Sequence, residues 1–225
     1  MNRLLGGLAF SLGLILVIVA GAELFTGNNL IVMAWANKKV TTAQVLRCWT
    51  VVYAGNLIGA VATAVLVFLS KQYFFGAGAV GKNALTIAQN KCSLGVVQAV
   101  TLGILCNVLV CLAVWLCYSA RTTTDKVVSI IFPITAFVAA GFEHSVANMY
   151  FVPTGLLIKN SASPEFWNLI HDSASSYAAL SCIGFLRNLV LVTLGNVFGG
   201  SLMVGLVYWF IYLRKVSRPN SSAEA

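Results

Sequence analysis

Glu143 and His144 are adjacent titratable residues in a stretch that otherwise carries no charge. No Asp, Glu, Lys or Arg occurs from Val127 to Phe142 or from Ser145 to Ile158, so the pair lies near the middle of 32 residues, enough for one tilted membrane pass. An ionisable side chain at bilayer depth costs roughly 2.5–3.5 kcal/mol on insertion scales, so such a residue marks a functional site by default. His144 is the one histidine inside an apolar run. Its imidazole can donate a hydrogen bond to a carboxylate and, once protonated, can also supply charge. The alternative is a satisfied helix–helix contact. Gly141 and Pro153 flank the pair and predict an interrupted helix, and broken helices at membrane depth line cavities.

The same pattern occurs earlier. Gly21-Ala22-Glu23 followed by Asn28 matches Gly141-Phe142-Glu143 followed by Asn148, at an offset of 120 residues for Gly, Glu and Asn. A second pair, Gly55-Asn56-x-x-Gly59 and Gly195-Asn196-x-x-Gly199, follows in the same order. Two matches in order predict an internal duplication, and paired interruptions in corresponding positions point to a transport site. Glu23 and Glu143 then occupy equivalent places. Their structural role would be capping N–H groups of the half-helix that follows. For Glu143, setting the charge state of His144 or Lys91 is an equal alternative. Asn56 and Asn196 would satisfy backbone groups freed at each break.

The elements that hold these residues follow from composition. The 225 residues are 59% hydrophobic and 9% charged, against about 25% charged in soluble domains, and the mean hydropathy is +0.89. The chain reads as an all-α polytopic membrane protein with the lipid bilayer as its surroundings. Its apolar runs exceed the roughly 9–11 residues of a barrel strand. The net charge of +8 is spread over short loops, which argues against nucleic acid as a partner. The six cysteines show no metal spacing and read as small hydrophobes, so neither a metal nor a cofactor is expected. The first apolar run lacks a clear cleavage site for a signal peptide.

Five spans are expected: Leu4–Asn37, broken near Glu23–Asn28; Cys48–Ser70; Cys92–Ala120; the run broken at Glu143–His144; and Ser181–Leu213. Residues 71–91 and 159–180 read as polar connections, with a helix start at Ser163-Pro164-Glu165. One side collects Lys38, Lys39, Arg47, Arg121, Lys126, Arg214, Lys215 and Arg218; the other collects Arg3, Lys71, Lys82, Lys91, Lys159 and Arg187. This bias and the clustered C-terminal charges put the first side, and the tail at 216–225, in the cytoplasm. Hereafter these are side one and side two. The expected organisation is a single transmembrane pore domain over residues 1–215. Repeat one would cover 1–70 and repeat two 92–215. An unbroken helix precedes the break in repeat two but has no room before Glu23, so a first helix is expected to be missing from this chain. Three helices per repeat would make the repeats inverted.

Two stretches then resemble the signatures of the formate–nitrite transporter family: Val19-Ala20-Gly21-Ala22-Glu23-Leu24-Phe25-Thr26-Gly27, and Gly103-Ile104-Leu105-Cys106-Asn107-Val108-Leu109-Val110-Cys111-Leu112-Ala113. With Gly141–Asn148 and Ala162-Ser163-Pro164-Glu165-Phe166-Trp167, the chain looks most like the formate-channel branch. The resemblance implies an aquaporin-like fold, a homopentamer with one pore per protomer, and a location in the cell inner (plasma) membrane. It implies His144 as the central pore residue with Thr26 on the facing loop, and Asn107 and Asn196 holding that loop and the histidine. It also implies Lys91 as a vestibule lysine, and Leu14, Leu24, Phe25, Val110 and Phe137 as constriction residues. Phe10, Phe25 and Phe137 are either hydrophobic gates or ordinary packing. Lys91 would attract an anion at the mouth, its bland alternative being an interfacial lysine that snorkels.

The function expected is passage of formate and related small weak-acid anions, passively or coupled to protons. Nitrite or hydrosulfide in the same pore is the near alternative. A neutral-solute channel of the aquaporin type usually shows Asn-Pro-Ala at its half-helices, and neither break has it. An intramembrane metalloenzyme needs three or more ligands, and only Glu143 and His144 lie together at depth.

Overall fold

The computed structural model describes residues 2–214. The tail at 216–225, and Lys215 and Arg218 of the charge bias, lie outside the described residues. The described chain is all helical. It runs α1 (Asn2–Ala20), a 3-10 helix (Gly27–Ile31), α2 (Val32–Ala36), α3 (Thr42–Leu69), α4 (Ala79–Cys92), α5 (Val96–Ser119), α6 (Thr123–Ala140), α7 (Ser145–Ser161), α8 (Pro164–Leu169) and α9 (Cys182–Val197). α9 continues through π-helical turns over Phe198–Leu206 and Trp209–Leu213. Five helical segments are long and apolar enough to cross a bilayer.

Both expected breaks are present. α1 ends at Ala20, and Gly21 follows with φ of 77°; α6 ends at Ala140, and Gly141 follows with φ of 74°. The left-handed conformation ends a helix at little cost only for glycine, which explains the residue at both places. Pro153 does not make the second break. It sits inside α7, as Pro133 sits inside α6. The polar stretch 71–91 is not a plain connection, because its second half folds as α4. Leu85, Ala88 and Cys92 fall on one face and are buried in a cluster that includes Val152 and Ile158 of α7. A glycine, Gly81, on that same buried face and lysines beside it hide this period in the sequence. α3 starts six residues before the expected span, at a capping box in which Thr41 and Gln44 exchange hydrogen bonds. α8 begins at Pro164, as the Ser-Pro-Glu signal predicts.

Two contacts hold the breaks in place. α5 packs along α9, where glycine lets the backbones close: a Cβ at Gly195 would strike the Val100 carbonyl, and one at Gly199 the Ile104 carbonyl. Further along, the π turns bring Gly200 against the Asn107 amide, and Ser201 Oγ donates to Asn29 Oδ1 at 3.0 Å. This docks the 3-10 helix after the first break onto the last span. Cys92, Cys106, Cys111 and Cys117 are buried, Cys48 is half-buried and Cys182 is exposed.

Candidate functional site

The second break ends at His144, which caps α7: its Nδ1 accepts from the Ala147 N–H at 3.1 Å. An accepting Nδ1 carries no proton, so the neutral ring bears its proton on Nε2. Nε2 lies 3.0 Å from Thr26 Oγ1 and donates to it. The two breaks therefore meet through one side-chain hydrogen bond across 118 residues of sequence. A second proton would have to enter at Nδ1, where the Ala147 N–H already points.

Asparagines hold both breaks by the same pattern. Asn56 Oδ1 accepts from the Phe25 N–H at 3.0 Å, and its Nδ2 donates to the Glu23 carbonyl at 3.0 Å. Asn196 Oδ1 accepts from the Ser145 N–H at 2.9 Å, and its Nδ2 donates to the Glu143 carbonyl at 3.0 Å. These are the backbone groups that a broken helix leaves without partners. Asn107 ties the halves together, its Nδ2 donating to the Asn196 carbonyl at 2.7 Å and the Thr26 carbonyl at 3.3 Å. Asn196 thus holds the backbone on either side of the histidine rather than its ring, and Asn107 holds the Thr26 carbonyl of the facing break.

Neither glutamate caps a helix. Glu143 Oε1 pairs with Lys91 Nζ at 2.9 Å, and Oε2 accepts from Asn148 Nδ2 at 2.7 Å. Glu23 Oε2 accepts from the equivalent Asn28 Nδ2 at 2.5 Å. Asn188, which the sequence reading missed, completes the second set. Its Oδ1 accepts from Asn148 at 2.7 Å, and its Nδ2 donates to the Lys91 carbonyl at 2.8 Å. The signal was there in the repeat. Asn188 stands 140 residues after Cys48, the offset of Asn196 from Asn56, and Asn28 Nδ2 approaches Cys48 Sγ at 3.6 Å. Lys91 lies in the last turn of α4, and its Nζ also sits 5.6 Å from the Phe151 ring centre.

Three spaces adjoin these groups. A cavity of about 190 Å³ is walled by Phe10, Leu14, Leu24, Val110, Phe137 and His144. On side two a vestibule of about 410 Å³ carries Arg3, Lys91 and Glu143 and shares Phe10, Phe137 and His144 with the cavity. These shared rings divide the two spaces. Phe10 meets Phe137 edge-on at 5.5 Å between centres, and Phe137 stacks on His144 at 5.9 Å. On side one a space of about 510 Å³ is lined by Glu23, Asn28 and Lys39. Leu24 and His144, equivalent residues of the two breaks, both face the central cavity. Phe25 does not. Its ring packs against Trp49 and Tyr53, 6.2 and 4.8 Å between centres, because its own N–H is turned to Asn56. Thr26 is fully buried behind His144 and reaches the cavity only through it.

A small solute in this cavity meets aromatic and aliphatic walls and one polar side chain, His144. The cavity therefore strips water from whatever enters and offers a hydrogen bond in return. Comparison with known proteins agrees with this geometry. The formate channel FocA of Escherichia coli K12 is 47% identical over 216 residues, 96% of this chain and 76% of the relative. FocA of Haemophilus influenzae is 44% identical over 207 residues, 92% and 73%. A solved pentameric formate channel with formate bound superposes with a TM-score of 0.86 at 45% identity, covering 94% of this chain and 84% of that one. The Formate/nitrite transporter family model matches residues 1–210, and the chain belongs to that family.

Proposed function

We propose that the chain conducts formate, and related small monovalent weak-acid anions, across the inner membrane as a homopentamer with one pore per protomer. Residues 1–215 form one pore domain, with repeat one over 1–70 and repeat two over 92–215. The C-terminal end lies in the cytoplasm, by the bias of basic residues. The observation that carries the reading is the single neutral donor, His144 Nε2–H, aimed at Thr26 in the wall of an otherwise apolar cavity.

Arg3 and Lys91 draw the anion into the side-two vestibule, with Glu143 holding Lys91 in place. Removing one partner of such a pair leaves an uncompensated charge, which costs about 3–5 kcal/mol when buried. The anion then passes the Phe10–Phe137 pair, where a hydration shell does not follow. A carboxylate that reaches His144 takes the place of Thr26 Oγ1 as acceptor, so its charge is met by a donor while it is dry. It leaves past Leu14, Leu24 and Val110.

The test is solute uptake by proteoliposomes, with formate, nitrite and glycerol in parallel. Formate uptake well above the other two is expected. Faster glycerol would place the chain with neutral-solute channels, and faster nitrite would move the substrate within the family.

A further inference from the structure

The two breaks match in the pairs Asn28 and Asn148, Asn56 and Asn196, with Cys48 where the second set has Asn188, yet their carboxylates differ in their partners. Glu143 is neutralised by Lys91 at 2.9 Å. Glu23 holds the equivalent asparagine, but among the described residues no cation lies within 4.0 Å of it. Its side chain is exposed and lines the side-one space beside Asn28, with Lys39 on the same wall. Among the described residues, the charged groups lining the side-two vestibule are Arg3, Lys91 and Glu143, an excess of positive charge; those lining the side-one space are Glu23 and Lys39, which balance.

We propose that Glu23 is a specificity-determining residue that repels anions at the side-one mouth, so that the pore saturates at lower anion concentration from side two than from side one. This rests on the anion-conducting reading above. A carboxylate about 7 Å from an anion in a watery vestibule lowers the anion's occupancy about threefold. At low concentration a passive pore has the same permeability in both directions, whatever charges line it. The asymmetry therefore shows in the half-saturating concentration and not in the limiting permeability.

The experiment measures uptake of radiolabelled formate by right-side-out and inside-out membrane vesicles, from below to above half-saturation. Glu23→Gln keeps the carbonyl oxygen that accepts from Asn28, so the clamp survives while the charge goes. It should lower the side-one half-saturating concentration about threefold and leave the side-two value unchanged. The effect should shrink in 1 M salt, where the screening length falls to about 3 Å. Lys39→Gln, on an exposed loop, should raise the side-one value, and it decides the matter if Glu23→Gln does not reach the membrane. A shift of both sides together in Glu23→Gln, or no shift in either variant, overturns the inference. Wild-type formate flux with equal half-saturation from both sides overturns it while sparing the proposed function. Absence of any formate flux overturns both.

Discussion

On Nδ1, His144 can hold a proton or the cap of α7, but not both. In the structure the cap is made, and the ring is the neutral Nε2–H form. Passive passage needs nothing more than this donor. Proton coupling through the ring needs the Ala147 N–H released each time Nδ1 is protonated, against the positive end of the α7 dipole. Formic acid is stronger than a carboxyl side chain, so formate is almost wholly ionised at pH 7 and a protonated route must find its proton within the pore. His144→Asn separates these ideas. Asparagine is among the best N-caps, so the start of α7 is kept, and it still offers a donor, but it does not titrate. We expect this variant to lose the pH dependence of formate uptake while keeping downhill flux. His144→Phe, with neither cap nor donor, should cost about 1 kcal/mol of helix stability and block flux. The measurement is uptake at two pH values, and a wild-type pH profile in His144→Asn would remove the ring from proton transfer. The sequence could bring out His144 because a histidine at bilayer depth is costly. It could not separate Leu24 from Phe25, because alternation has no meaning in a break where one N–H is turned to Asn56.

Among the elements, the repeat made most of the site legible. Glu-x4-Asn and Gly-Asn recur at fixed offsets, and the clamps they build are the same on both sides. α4 was not legible, because its buried face of Leu85, Ala88 and Cys92 is interrupted by Lys82 and Lys91, which face other partners. The π turns after Val197 were not legible either. They arise where Gly199 and Gly200 let the last span close on Ile104 and Asn107, a tertiary demand with no local signature. The repeats also differ in what packs on them. The Gly195–Gly199 face of α9 is filled by α5, whereas a Cβ at Gly55 or Gly59 on α3 would meet nothing within 4 Å in this chain. Close packing of small residues drives helix association in lipid, so the filled face is the sensitive one. Gly195→Ala should destabilise by about 1–3 kcal/mol through overpacking against Val100 and Gly103. Gly6→Ala, whose Cβ has open space on α1, should be neutral or slightly stabilising. Thermal unfolding of the purified variants in detergent measures both, and equal midpoints for the two would show that the α5–α9 approach does not limit stability.

At the scale of the whole molecule the question is where the conducting path runs in an assembly. One chain brings together Lys91 and Glu143 at the mouth of the candidate path, the Phe10–Phe137 pair, and His144 on Thr26. Leu66 and Leu69 on α3 and Ile183 on α9 are instead more than half exposed, as suits contact with lipid or neighbouring chains. A pentamer built this way holds five independent pores, whereas a path along the five-fold axis would be shared by all five chains. Mixed assemblies tell these apart. Wild-type chains co-expressed with His144→Phe chains form pentamers with every proportion of blocked protomers, and native mass spectrometry gives both the subunit count and the mixture. With a pore in each chain, formate flux falls in proportion to the wild-type fraction, to about half in an equal mixture of the two chains. With one shared path that a single blocked chain closes, only all-wild-type pentamers conduct, and flux falls to about 3% in the same mixture. We expect the proportional result; flux that does not fall at all would move the site of passage away from His144, and a steep loss would show that a blocked chain closes the paths of its neighbours.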